Sequence, residues 1–150
     1  DFQKRHKFLN DFYFGAITEL SNTHQYTYPL MGVIPGDIQI SPSSNQNRDI
    51  TFNFNIIFAD LVQAQVDNRD EVRSDTIQFC QDFISEIDMN AFYRNNNISI
   101  VSSTLSPFEE RFTDLTTGYV LQLTLSTPFF INNCNAPVDK KVNGLITGPC

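Results

Sequence analysis

Asp49-Ile50-Thr51-Phe52-Asn53-Phe54-Asn55-Ile56-Ile57-Phe58-Ala59-Asp60-Leu61 is the stretch that decides the fold. Ile50, Phe52, Phe54, Ile56 and Phe58 fall on one face of an extended chain, and Thr51, Asn53 and Asn55 fall on the other. Period-two alternation of this kind marks a strand with one buried and one polar face. At Ile57 and Leu61 the pattern turns apolar on both faces, which predicts burial on both sides near the strand's end. A second strand with the same alternation is expected at Tyr119, Leu121, Leu123 and Leu125, ended by Pro128.

Between these two strands the period changes. Val72, Thr76, Phe79, Cys80, Phe83, Ile87 and Ala91 form a helical stripe, which predicts one long helix from about Glu71 to Phe92, closed by Asn95-Asn96-Asn97. Asp75 then falls near the helix start, where Ser or Asp usually caps. Upstream, Leu9, Phe12, Ala16 and Leu20 recur at helical spacing and predict an amphipathic N-terminal helix within Phe2 to Leu20. Pro29, Gly32 and Pro35-Gly36 interrupt any strand in Tyr26 to Ile34 and assign it to an edge. Asp37 to Ser41 alternates again, and Pro42 to Asn47 reads as a turn-forming loop. Ile98-Ser99-Ile100 is a short strand, and Thr104 to Gly118 is a hairpin connection or a pair of short strands. The order helix, strands, long helix, strands gives an α+β fold: a mostly antiparallel sheet with the long helix across one face. One domain is expected over residues 1–131, with an extended, aperiodic C-terminal tail over 132–150.

Composition narrows the function classes. The chain has 150 residues, 41% apolar and 18% charged, with a net charge of −7. That balance disfavours a protein whose main task is gripping phosphates, which needs clustered Lys and Arg. No apolar run approaches the roughly 18 residues of a membrane-spanning helix. Three cysteines at irregular spacing make neither a disulfide framework nor a zinc pattern, so the compartment reads as reducing cytoplasm. The chain starts at Asp1 rather than Met, so some leading residues are expected to be missing, and no signal-peptide apolar region follows.

The motifs of catalysis are absent: no phosphate-binding glycine loop, no nucleophile elbow, no HExxH and no acidic calcium loop. His6 lies in the basic run Lys4-Arg5-His6-Lys7 and reads as part of a solvated helix face. His24 has no Cys or His at metal-ligand spacing. Asp60, at the end of the apolar strand, is the better candidate for a half-buried acid. Glu109-Glu110 is the densest carboxylate pair, but in an extended segment neighbours point to opposite faces and cannot share a proton. We therefore expect a non-enzyme that binds no cofactor and no metal.

One resemblance goes beyond class. Tyr28-Pro29-Leu30-Met31, the strand ending Phe58-Ala59-Asp60-Leu61-Val62, and Glu71-Val72-Arg73-Ser74-Asp75-Thr76 opening the helix carry its first part. Leu105 to Phe112, Thr116-Thr117-Gly118-Tyr119, Pro128-Phe129 and Asn132-Asn133-Cys134 continue it. Together they resemble the tail-terminator and neck-ring proteins of tailed bacteriophages, in particular crass-like phages of Bacteroidota-type hosts. The similarity covers about residues 8–137. It implies a structural virion protein, assembled in the host cytoplasm, that forms a six- or twelve-fold ring in the neck or tail. Its partners would be copies of itself and adjacent neck, portal or tail proteins, and DNA would pass through without sequence-specific binding. An acidic chain suits a conduit because phosphates are repelled from its wall. Contacts between subunits or rings are expected at Phe108, Glu109, Glu110, Arg111 and Phe112 in the hairpin, and at Asn133, Cys134 and Pro137 in the tail. The alternative is a non-catalytic carbohydrate- or receptor-binding module. That reading asks for exposed aromatics on one sheet face, where this chain has Asn, Thr and Gln.

Overall fold

The computed structural model describes residues 2–16, 26–44, 47–63, 66–111 and 115–130. In chain order these form α1 (Phe2–Arg5), β1 (Asp11–Phe14), β2 (Leu30–Ser44), β3 (Asn47–Leu61), α2 (Arg69–Met89), α3 (Ala91–Asn95), β4 (Ser99–Arg111) and β5 (Leu115–Phe130). The strands make one five-stranded sheet in the order β1-β2-β3-β5-β4. β1 runs parallel to β2 and the other three pairings are antiparallel, so the sheet is mixed and the fold is α+β.

The deciding stretch sits at the sheet's centre as β3. Ile56 stands opposite Leu121 and Phe58 opposite Tyr119 on the face that α2 crosses. There Leu9, Met31, Ile56, Phe58, Leu121 and Leu123 meet Phe79, Cys80 and Ile87 of α2. Burying a side chain of this size is worth about 1.5–3 kcal/mol, so these few residues carry much of the stability. Thr76 is fully buried on the same helix face, and its hydroxyl donates to the Val72 carbonyl at 2.9 Å, which satisfies it without a partner outside the helix. The predicted burial of Ile57 is present, whereas Leu61 at the strand's end is exposed. On the opposite face Leu30, Ile57 and Ala59 form a smaller cluster covered by Tyr13, Tyr26, Tyr28, Ile34, Phe108 and Val120.

Several elements differ from the sequence reading. Among the described residues the N-terminal helix is a single turn, Phe2–Arg5, and the chain then extends into β1, whose residues pair with Leu30–Val33 of β2; Leu20 of the expected helix lies outside the described residues. Phe12 and Phe14 are consequently exposed, while Leu9 is in the core. Four apolar positions at helical spacing could not distinguish these outcomes, because a parallel neighbouring strand outweighs a weak local pattern. His6 is not solvated either. Its side chain is 11% exposed and its Nε2 lies 3.2 Å from the Asp82 carboxylate. Its ring meets Phe2 and Phe79, both at 5.2 Å between centroids. Phe2 in turn stands edge-on to Phe83, and Arg5 pairs with Glu86 at 2.6 Å. The Arg5 guanidinium and the Asn90 amide hold the Glu86 carboxyl below its ordinary value. Arg5 and His6 of the N-terminal basic run thus hold the second half of α2 through Glu86 and Asp82.

β2 does not stop at its prolines. It runs on through Pro35-Gly36 with a register shift between Pro35 and Ile38, and past Pro42 to Ser44. Both prolines are tolerated because, beyond Val33, β2 has no neighbour on its outer side among the described residues. The helix begins at Arg69, two residues before the expected start, which puts Asp75 in the second turn rather than at a cap. Asn90 ends α2 and starts α3, its side chain accepting from the Phe92 amide at 2.9 Å. The short strand at Ile98 and the following hairpin are one long pair, β4 and β5, in nearly continuous register with a bulge at Val101.

Candidate functional site

The titratable groups that the sequence singled out converge at the end of the sheet where α2 begins. Asp60, Thr117 and Glu109 occupy one row across β3, β5 and β4, since Thr117 is the register partner of both. Alternation turns all three toward α2, on the same face as Phe58 and Tyr119. Arg69 and Arg73 lie above them, four residues apart and so on one side of the helix.

Both arginines engage Glu109. Arg69 Nε is 3.3 Å from one carboxylate oxygen and Arg73 Nη2 is 3.7 Å from the other. Arg69 Nη1 also pairs with Asp67 just before the helix. Arg73 Nε donates to the Thr117 hydroxyl at 3.3 Å, and that hydroxyl donates to the Phe108 carbonyl at 2.8 Å. Thr116 and Thr117 are fully buried. The result is a chain of charge-assisted contacts that ties the β4–β5 hairpin to the first turns of α2. With Glu109 about two-fifths exposed, solvent screens the ion pairs themselves. Their value is positional.

Asp60 is the perturbed acid of the group. Burial raises its carboxyl above the ordinary 3.8, the Leu61 amide donating at 2.7 Å opposes that, and the nearby charge of Asp75 adds to the rise. The arrangement can keep a proton on Asp60 at a higher pH than an exposed carboxylate would. Among the described residues, no three His, Cys, Asp or Glu side chains are grouped to hold a metal ion.

The expected contact residues fall as follows. Phe108 is half-buried in the cluster on the face away from α2, and Glu109 is the clasp just described. Glu110 and Arg111 complete β4 as register partners of Thr116 and Leu115. Phe112, Asn133, Cys134 and Pro137 lie outside the described residues. Asp60 and Glu109 were legible from the sequence, but Arg69 and Arg73 were missed. Their i, i+4 spacing was the available signal, and only strand register reveals the carboxylate they hold. No protein-family model and no curated protein matches this chain.

Proposed function

We propose that this chain is a structural subunit of a ring in the neck or tail of a tailed bacteriophage, joining portal or connector to tail around the DNA conduit and performing no catalysis. A closed ring requires each subunit to present two different patches, because the contact is head to tail. The observation that carries the reading is a set of exposed apolar side chains, of which two groups stand out. Ile38 and Ile40, 63% and 56% exposed, stand on the free half of β2. Met89 and Phe92, 75% and 63% exposed, stand where α2 passes into α3. The far end of α3 is tied to β5, where the Thr127 hydroxyl donates to the Asn96 carbonyl at 3.2 Å. Ile40, Ile50 and Thr127 share one row across β2, β3 and β5, so the two groups border the same sheet face from strands that are not neighbours.

The contact at β2 is made by side chains. Pro35, Pro42 and two register shifts blunt that edge against strand addition. The net charge of −7 supports passage of DNA without adhesion, and the reading needs no cofactor. No described helix is long and apolar enough to cross a membrane, and the reading places the protein in the virion. The experiment is a pair of charge substitutions, Ile38→Asp and Phe92→Asp, each on an exposed side chain and so compatible with folding. Each is expected to abolish assembly of the purified chain while leaving its circular dichroism unchanged. Assembly at the wild-type concentration in both variants would remove the patches from the account.

A further inference from the structure

On the sheet face away from α2, beside the tyrosine-covered cluster, six uncharged polar side chains form a flat array. Strand register sets them in two rows, Asn55–Gln122–Thr104 and Asn53–Thr124–Ser102, each crossing β3, β5 and β4. Neighbouring strands are about 4.8 Å apart and the rows about 7 Å apart. The array floors a shallow depression of about 230 Å³, with no charged side chain among its lining residues. Asn53 at its β3 corner is fixed: the Thr124 hydroxyl donates to Asn53 Oδ1 at 2.9 Å, and Asn53 Nδ2 donates to the Asp37 carbonyl at 3.1 Å. Asn55, Gln122, Ser102 and Thr104 are exposed and make no side-chain hydrogen bond within the described protein.

We propose that this array is a binding platform for a neutral oligosaccharide, which Asn55, Gln122 and Thr104 contact directly beside a preset Asn53. Each alternative fails on chemistry. An anionic ligand finds no cation in the lining and a net charge of −7 around it. A cation finds no carboxylate. A peptide strand cannot add here, because β3 and β5 already spend their backbone groups on neighbours along both sides. A neutral polyol fits, since every hydroxyl both donates and accepts, and each amide offers two donors and an acceptor within one plane. In the next row, Ile57 is buried and Val120 is half-buried beside the array. The platform differs from the aromatic one that a sugar-binding sheet was expected to show. Without a ring to stack on, affinity is set at about 1–10 mM. The proposal stands independently of the ring reading.

The test is a nitrogen-15 NMR titration of the full chain with maltotriose, cellotriose, mannotriose and chitotriose at millimolar concentrations, with trigalacturonate as the charged control. At least one neutral trisaccharide is expected to give saturable shifts centred on the side-chain amides of Asn55 and Gln122, and trigalacturonate none. Asn55→Ala and Gln122→Ala should each weaken binding roughly fivefold, with backbone spectra otherwise unchanged. The Ile38→Asp variant should bind as wild type, which separates this site from the assembly surface. The proposal is overturned if no neutral trisaccharide saturates those amides, if trigalacturonate binds equally, or if both alanine variants bind like wild type.

Discussion

Gly118 sits where β5 passes the end of β3, opposite Ala59 on one side and Phe108 on the other. Its φ of +157° is one that side-chain-bearing residues rarely adopt, and a Cβ placed on it would lie 1.9 Å from the Phe58 carbonyl oxygen. Real Cβ atoms essentially never approach within 3.0 Å of such an atom, and here the obstacle is backbone in the middle of a ladder. Gly118→Ala must therefore part β3 and β5 by roughly 1 Å locally, which breaks ladder bonds beside the fully buried Phe58. Overpacking alone costs typically about 1–3 kcal/mol, and each ladder hydrogen bond lost adds about 1 kcal/mol. A total of about 3–5 kcal/mol is expected, against a domain stability of about 5–15 kcal/mol. Urea denaturation followed by circular dichroism should show the midpoint falling accordingly, with Tm lower by about 10 °C. Gly36→Ala is the internal control: its Cβ would stand 3.0 Å from the Asn53 carbonyl oxygen beside a bulge, at an outer strand that can give way. If Gly118→Ala unfolds within 1 kcal/mol of wild type, or no earlier than Gly36→Ala, the packing argument at the β3–β5 ladder is wrong.

Two further expectations concern titration. Because burial raises the Asp60 carboxyl above 3.8, the folded state holds that proton more tightly than the unfolded chain. Asp60 therefore costs stability once the pH rises through its folded value and costs nothing below the unfolded one. Asp60→Asn, whose amide oxygen can still accept from Leu61, should be more stable than wild type at pH 7, with the gap closing toward about pH 4; a variant less stable at pH 7 contradicts the sign. Burial also pushes the Cys80 thiol up to about 12. Iodoacetamide at mildly alkaline pH should leave Cys80 unmodified in the native protein and alkylate it in urea, and rapid native alkylation seen by mass spectrometry would refute its placement in the core.

How much was legible depended on how far each feature reaches along the chain. β3, β5 and the apolar stripe of α2 were readable because their periodicities extend over many residues and match the core they build. β1 was not, because four residues following Leu9 satisfy a helical spacing and a strand equally, and the parallel partner that decides the matter is some twenty residues away. His6 was misplaced for a similar reason: a basic run looks solvated until the acidic face of α2 is brought beside it. β4 was read as fragments because Pro107 and the bulge at Val101 break its local pattern, whereas its pairing with β5 carries it through both. At the candidate site, Asp60 was visible from its place at the end of an apolar strand. The clasp of Glu109 by Arg69 and Arg73 joins residues some forty positions apart and follows only from register.

The proposed ring is a closed, head-to-tail assembly of copies of this chain. Negative-stain microscopy of the purified protein over a concentration series, with sedimentation on the same samples, tests it most directly. Closed rings with an open centre and six- or twelve-fold symmetry are expected to appear as concentration rises. A species that remains monomeric at every concentration, with no rings among the class averages, would contradict it.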